Sequence, residues 1–310
     1  MAATAMSALL MSTACSENSN DKDTLVCFNV NTSTIASRST LGNGETAQTL
    51  QWAVYDENMV LIPQMVGSKP IQKTTSVELK LAVGDIYNLI FWADNDSAPY
   101  TINWETGEMI VDYSKTKAND EELDAFWNVV PELKVVASTN INVDLYRPFA
   151  QVNVLTSDKV DAQIVGLNVD STSIEIPVHN TLNMWNGKVY TTNADGSTST
   201  QVQNHVWSYT KPVAAPNDTM HIKGEPYDLL VTNYALVWED ATPVEVTLKY
   251  KEGQKEYKRT FSNILVQRNY KTNIYGDVLT EGYTFNVEVM PNFKNQQHYY
   301  DSNTGTSKTE

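Results

Sequence analysis

Leu25-Val26-Cys27-Phe28-Asn29-Val30-Asn31-Thr32 alternates apolar with polar side chains. Alternation at period two marks a strand with one face in a core and the other toward water. Val26, Phe28 and Val30 then share the inward face. Working outward, Leu50-Gln51-Trp52-Ala53-Val54-Tyr55-Asp56 and Ser76-Val77-Glu78-Leu79-Lys80-Leu81 read the same way, and Lys134-Val135-Val136-Ala137 is a further candidate. Tyr87-Asn88-Leu89-Ile90-Phe91-Trp92-Ala93 reads as a buried strand. Turn chemistry separates these runs at Asp56-Glu57-Asn58, Val83-Gly84-Asp85 and Asp94-Asn95-Asp96-Ser97, where Gly, Asn and Asp accept the backbone angles a strand refuses. Short strands spaced by such turns predict a β-sandwich. One stretch departs from the pattern: Asp120-Glu121-Glu122 ahead of Leu123, Phe126 and Trp127 predicts a helix over 119–127, with its acids in the first turn.

The pattern restarts past a boundary near Asp144 to Pro148, first with Phe149-Ala150-Gln151-Val152-Asn153-Val154-Leu155 and then with Ala162 to Val169. A polar excursion from Asn180 to Asn204 precedes strands at Tyr227 to Leu230, Tyr234 to Trp238, Val244 to Tyr250 and Lys255 to Phe261. The chain closes with Asn263 to Leu279, Thr284 to Val289 and a polar tail. The expected organisation is all-β: a leader and tether over 1–23, one sandwich over 24–146, a second over 147–294 and a tail over 295–310. Each half exceeds the roughly 100 residues of an independent sandwich.

A formal net charge of −15 repels phosphate backbones and argues against a nucleic-acid partner. Cys27 is the sole cysteine after Cys15, so neither a disulfide framework nor a thiolate metal site is expected. His179, His205, His221 and His298 are dispersed, with no metal-ligand spacing. Neither a nucleophile elbow nor a phosphate loop nor a dinucleotide fingerprint is present. The acidic runs Asp94-Asn95-Asp96 and Asp120-Glu121-Glu122 lack the spacing of a calcium loop and read as solvated turns. The expectation is a chain that is not an enzyme and carries no cofactor or metal.

The N-terminus is similar to a bacterial lipoprotein signal: the apolar run ends in Leu9-Leu10-Met11-Ser12-Thr13-Ala14-Cys15, and a polar tether from Ser16 to Asp23 follows. Residues 1–6 carry no Lys or Arg, and Ser12 stands where the lipoprotein pattern usually has Leu. Four internal segments resemble, in order, those of the Bacteroidales fimbrillin-like lipoproteins. They are Leu50 to Asp56, Leu89-Ile90-Phe91-Trp92-Ala93-Asp94, Arg147-Pro148-Phe149-Ala150-Gln151-Val152-Asn153 and Val266-Gln267-Arg268-Asn269-Tyr270-Lys271-Thr272-Asn273-Ile274-Tyr275-Gly276. The resemblance implies a pair of transthyretin-like β-sandwiches and a structural fimbrial subunit of the type V pilus that supports cell adhesion. It also implies a life history: export through the periplasm as a lipoprotein, acylation (palmitate) at Cys15, and residence at the outer membrane. An Arg-specific protease then cuts between Arg38 and Ser39, and a neighbouring pilin subunit supplies a strand to the vacated groove. Arg38 is the only arginine before Arg147, and Leu41-Gly42-Asn43-Gly44 beside it favours protease access.

The residues indicate how such an exchange works. Val26, Phe28 and Val30 contribute roughly 5 to 9 kcal/mol of burial at 1.5 to 3 kcal/mol each, and a departing strand leaves unpaired backbone groups for another to satisfy. The removable reading expects residues 25–32 docked at a sandwich edge; a segment loose in solvent, or locked centrally between two other strands, would vacate nothing, and the assembly reading would collapse. Phe285, Val287 and Val289 alternate like the segment to be removed and form the candidate donor strand. They equally fit the last strand of the chain's own second sandwich, with the Tyr299-Tyr300 tail as the alternative donor. A different class of function is a monomeric surface lipoprotein binding a glycan or host protein through Trp185, Tyr190, Trp207 and Tyr209.

Overall fold

A computed structural model describes residues 23–32, 42, 44–212, 219–280 and 284–291, together with the backbone of 298–301 and 306–309. The described chain is almost wholly β, arranged in five sheets. In the first, β1 (Asp23–Thr32) lies between β4 (Thr74–Ala82) and β9 (Thr139–Leu145). The facing sheet runs β3 (Gly67–Pro70), β2 (Thr49–Tyr55), β5 (Ile86–Asp94), β8 (Phe126–Lys134).

β2 and β5 explain why the run around Ile90 is so apolar: the strands have a core on each face. Leu50, Val54, Leu89 and Phe91 pack toward β1, whereas Ala53, Tyr55, Ile90 and Trp92 enter the larger core of the second half. A strand covered on both sides loses the alternation of a half-exposed one.

The second half packs two more sheets face to face. One runs β15 (Gln203–Val206), β11 (Ser171–Val178), β18 (Thr242–Glu252), β19 (Lys255–Val266). The other runs β16 (Thr219–Ile222), β17 (Glu225–Ala235), β10 (Ala150–Thr156), β20 (Tyr270–Asp277), β21 (Thr284–Pro291), β22 (His298–Asp301), β23 (Thr306–Thr309). The fifth sheet, β14 (Thr198–Ser199), β13 (Val189–Thr192), β12 (Thr181–Asn183), β7 (Glu108–Val111), β6 (Tyr100–Asn103), joins strands from both halves. Leu182 pairs with Met109 across that junction, so backbone hydrogen bonding crosses the boundary expected near residue 147.

Three expectations are corrected. The predicted helix over 119–127 is a series of turns running into β8. Its acids serve tertiary partners: Asp124 pairs with Arg147, and Glu121 accepts from Tyr234. Those partners outweigh the local helix preference. Residues 162–169, read as a strand, lie across the end of a short helix, Lys159–Ile164, and the turn after it. Of the four residues in Lys134-Val135-Val136-Ala137, only Lys134 is in a strand.

Candidate functional site: the first strand and its slot

Sequence alternation places β1 correctly and predicts its inward face. Val26 and Phe28 are fully buried, Val30 is 1% exposed, and the rings of Phe28 and Phe91 lie 5.4 Å apart. Leu81, Val143 and Leu145 complete the surround. The outward face is a polar seam. Asn31 donates to Asp144 Oδ1 (3.0 Å) and accepts from Thr74 Oγ1 (2.8 Å), Asn29 donates to Asn142 Oδ1 (3.3 Å), and Cys27 Sγ lies 3.0 Å from Ser76 Oγ.

The strand is not at an edge. It pairs antiparallel with β4, from Asp23 opposite Ala82 to Asn31 opposite Thr74, and parallel with β9, from Val26 opposite Thr139 to Thr32 opposite Leu145. This corrects the expected edge docking: β1 is locked between two strands, the placement under which a simply removable placeholder vacates nothing. Departure must break two ladders, and fraying from one side cannot accomplish it. What a departing β1 leaves, however, is a slot with backbone donors and acceptors on both walls and an apolar floor. Alternation cannot reveal such neighbours, because it reports which face is buried and not which strands lie alongside.

Cys15, Arg38 and Ser39 lie outside the described residues. The chain is described again at Gly42, and there it is held. Gly42 O accepts from Arg147 Nη2 at 3.1 Å, and Gly42 N donates to Glu121 Oε1. Arg147 is in turn clamped to Asp124, Nε to Oδ1 at 2.6 Å and Nη2 to Oδ2 at 3.0 Å, with both side chains 1% exposed. The guanidinium also sits over the Phe126 ring, 4.4 Å from its centre. Burial pushes the Glu121 carboxyl above its ordinary range, an effect that the Gly42 amide partly offsets. A side chain at residue 42 would meet Gln151 Oε1 at 2.8 Å, and φ there is +71°, so glycine alone fits comfortably. Sequence reading missed this anchor, although the scarcity of arginine was a usable signal.

The candidate donor residues are already employed. Phe285, Val287 and Val289 lie on β21, which pairs with β20 on one side and β22 on the other. Val287 is 2% exposed, Val289 is 9% exposed, and Phe285 packs edge-on against Phe261 at 4.9 Å. On the opposite face Glu288 is buried and accepts from Asn273 at 2.9 Å. In this arrangement the segment is a strand of the chain's own sheet, so the expected free donor is corrected. β22, which contains Tyr299 and Tyr300, pairs backbone to backbone with β21 and β23.

The four aromatics considered for glycan stacking separate. Trp207 is 1% exposed inside the core, edge-on to Tyr113. Tyr190 is tied to Glu108 through its hydroxyl, and Tyr209 lies beneath Lys251. Trp185 lines a cavity together with Trp127 and Arg268. Among the described residues, no group of three His, Cys, Asp or Glu is placed to hold a metal, and no helix is long and apolar enough to cross a membrane.

A family model matches residues 20–310, thus spanning both sandwich cores and the β1 slot. The chain belongs to DUF6562, a family of unknown function. No curated protein matches this DUF6562 chain. Among solved structures, a candidate cell adhesion protein from Bacteroides uniformis superposes with a TM-score of 0.52 at 9% identity, covering 88% of this chain and 100% of that one. The tip fimbrial protein Mfa3 from Porphyromonas gingivalis, with C-terminal truncation, gives 0.50 at 12% identity, covering 87% and 99%. At such identities the likeness establishes a shared all-β fold.

Proposed function

We propose that this protein is a structural, adhesive subunit of a cell-surface fimbria, assembled by exchange of β1 for an extended segment of a neighbouring subunit. The observation that carries the proposal is the complete burial of Val26, Phe28 and Val30 by a strand at the chain's N-terminal end. A cut at Arg38 would make that strand a separate piece while leaving the rest of the core covalently intact. The fold shared with a fimbrial tip protein supports the same reading. Cys15 would carry the lipid that holds the precursor at the outer membrane, and an Arg-specific protease would be the activating partner.

Central placement overturns a placeholder that simply leaves, so the proposal is the narrower one of replacement strand for strand. A cut after Arg38 severs the covalent link but leaves both ladders intact, so β1 stays until an incoming strand takes over its pairing step by step. Meanwhile the Arg147–Asp124 clamp holds Gly42, so the chain at residue 42 stays in place while β1 is exchanged. An incoming strand running in the direction of β1 meets β9 parallel and β4 antiparallel, which gives the slot a polarity. Main-chain pairing supplies affinity, and the pockets of Val26, Phe28 and Val30 supply register.

Treating the purified chain with an Arg-specific protease tests the reading. The expected result is a ladder of oligomers that resists mild heating in detergent and appears only after the cut. A trimmed species that stays monomeric at every concentration overturns assembly by exchange and favours a monomeric surface receptor.

A further inference from the structure

The motif Gln267-Arg268-Asn269-Tyr270 has no part in the strand slot, yet it forms one wall of a cavity of about 410 Å³. The start of β8 supplies Trp127, the hairpin turn after β12 supplies Trp185 and Asn186, and Tyr146 closes one side. Each wall is fixed by its own bonds. Trp127 and Tyr146 exchange backbone hydrogen bonds at 2.8 and 3.0 Å, and the Trp127 indole donates to Met184 O at 3.0 Å. Trp185 packs edge-on against Tyr55 at 4.7 Å. It also occupies the space a side chain at residue 107 would need, with its Nε1 2.3 Å from that Cβ position.

Arg268 is the unusual member. It is 6% exposed, lies over the Trp127 ring at 5.6 Å, and donates through Nη2 to Gly187 O. Its buried Nε has no hydrogen-bond partner among the described residues, and no carboxylate there forms an ion pair with it. Burial lowers its pKa from the ordinary arginine value, with exposed Glu239 acting in the opposite sense; an arginine nonetheless keeps its charge at neutral pH. A buried guanidinium short of partners is costly unless an acceptor is supplied. Arg268 lines the cavity, so an acid group bound there lies beside the guanidinium charge, although the enclosed Nε itself is out of reach.

We propose that this cavity binds a saccharide bearing a carboxylate, with Arg268 receiving the acid group and Trp127 and Trp185 furnishing apolar walls for a pyranose face. The size falls within the range of small-ligand sites, and a few polar groups on an aromatic wall are how such sites fix orientation. Asn186 and Gln267 offer amides to hydroxyls, and Glu239 on the rim accepts from them. Arg147, which holds Gly42, also lines this cavity, but Val26, Phe28 and Val30 do not, so binding and strand exchange are tested at different residues.

Calorimetric titration of the intact chain with a glucuronate-containing oligosaccharide, and with a neutral gluco-oligosaccharide of equal length, tests this. Saturable binding of the acidic sugar is expected, at least tenfold tighter than the neutral one and weakening as salt rises. R268Q should abolish the preference. Because that side chain is buried, Y146A provides a second probe at a position 45% exposed, and it should weaken binding at least fivefold with the melting temperature unchanged. Absence of binding, equal affinity for the two sugars, or tight binding unaltered in folded Y146A each overturns the proposal.

Discussion

Asp124→Ala should lower stability by about 3 to 5 kcal/mol, the usual cost of stranding one member of a buried ion pair. Arg147 would lose both bonds of a fork that is 1% exposed, and its charge would no longer face a paired carboxylate. In a chain of this size the loss corresponds to a fall in melting temperature on the order of 10 °C. Arg147→Met together with Asp124→Leu should recover most of the loss, because the penalty comes from the uncompensated charge and not from the absence of the pair. The two outcomes separate a charge clamp from simple packing. Thermal unfolding of the single and double variants measures both. If Asp124→Ala melts within 2 °C of the parent, the clamp is not what holds residue 42.

Phe28→Ala should cost a similar amount, about 3 to 5 kcal/mol, since it empties a fully enclosed phenyl site. Here the consequence is functional as well as structural. Once the chain is cut after Arg38, β1 is retained only by its ladders and its inward side chains, so the same loss appears as weaker retention of the fragment. At 1.4 kcal/mol per factor of ten, retention falls roughly 100-fold or more. Asn29→Ala, on the outward seam, removes an exposed bond to Asn142 and a long one from Cys27 Sγ, and should change retention far less. Measuring fragment dissociation from cut protein for both variants checks the contrast. Equal rates would mean that the apolar floor of the slot does not govern exchange.

Most of the strands were legible because one physical fact, burial on one face, writes itself into the sequence at period two. The runs Leu25 to Thr32, Ser76 to Leu81, Val244 to Tyr250 and Thr284 to Val289 all lie within strands. Pairing was less legible. β1 finds β9 more than a hundred residues away and parallel to it, and nothing in either segment names the other. The acids at 120–124 misled because their partners, Arg147 and Tyr234, are equally remote. Phe285, Val287 and Val289 illustrate a different limit: a strand serving its own sheet and a strand awaiting a neighbour's slot have the same alternation. The cavity at Arg268 went unseen for a related reason. By sequence Trp127 falls in the predicted helix, and Trp185 is one of four aromatics that only packing can sort.

The proposed exchange of β1 can be measured directly. A labelled synthetic peptide spanning residues 23–32, added in excess to protein cut after Arg38, should replace the native strand at one peptide per chain, while uncut protein takes up none. Exclusion of the peptide from the cut protein, with the native fragment retained throughout, would contradict the account, because the slot would then be closed to any other strand.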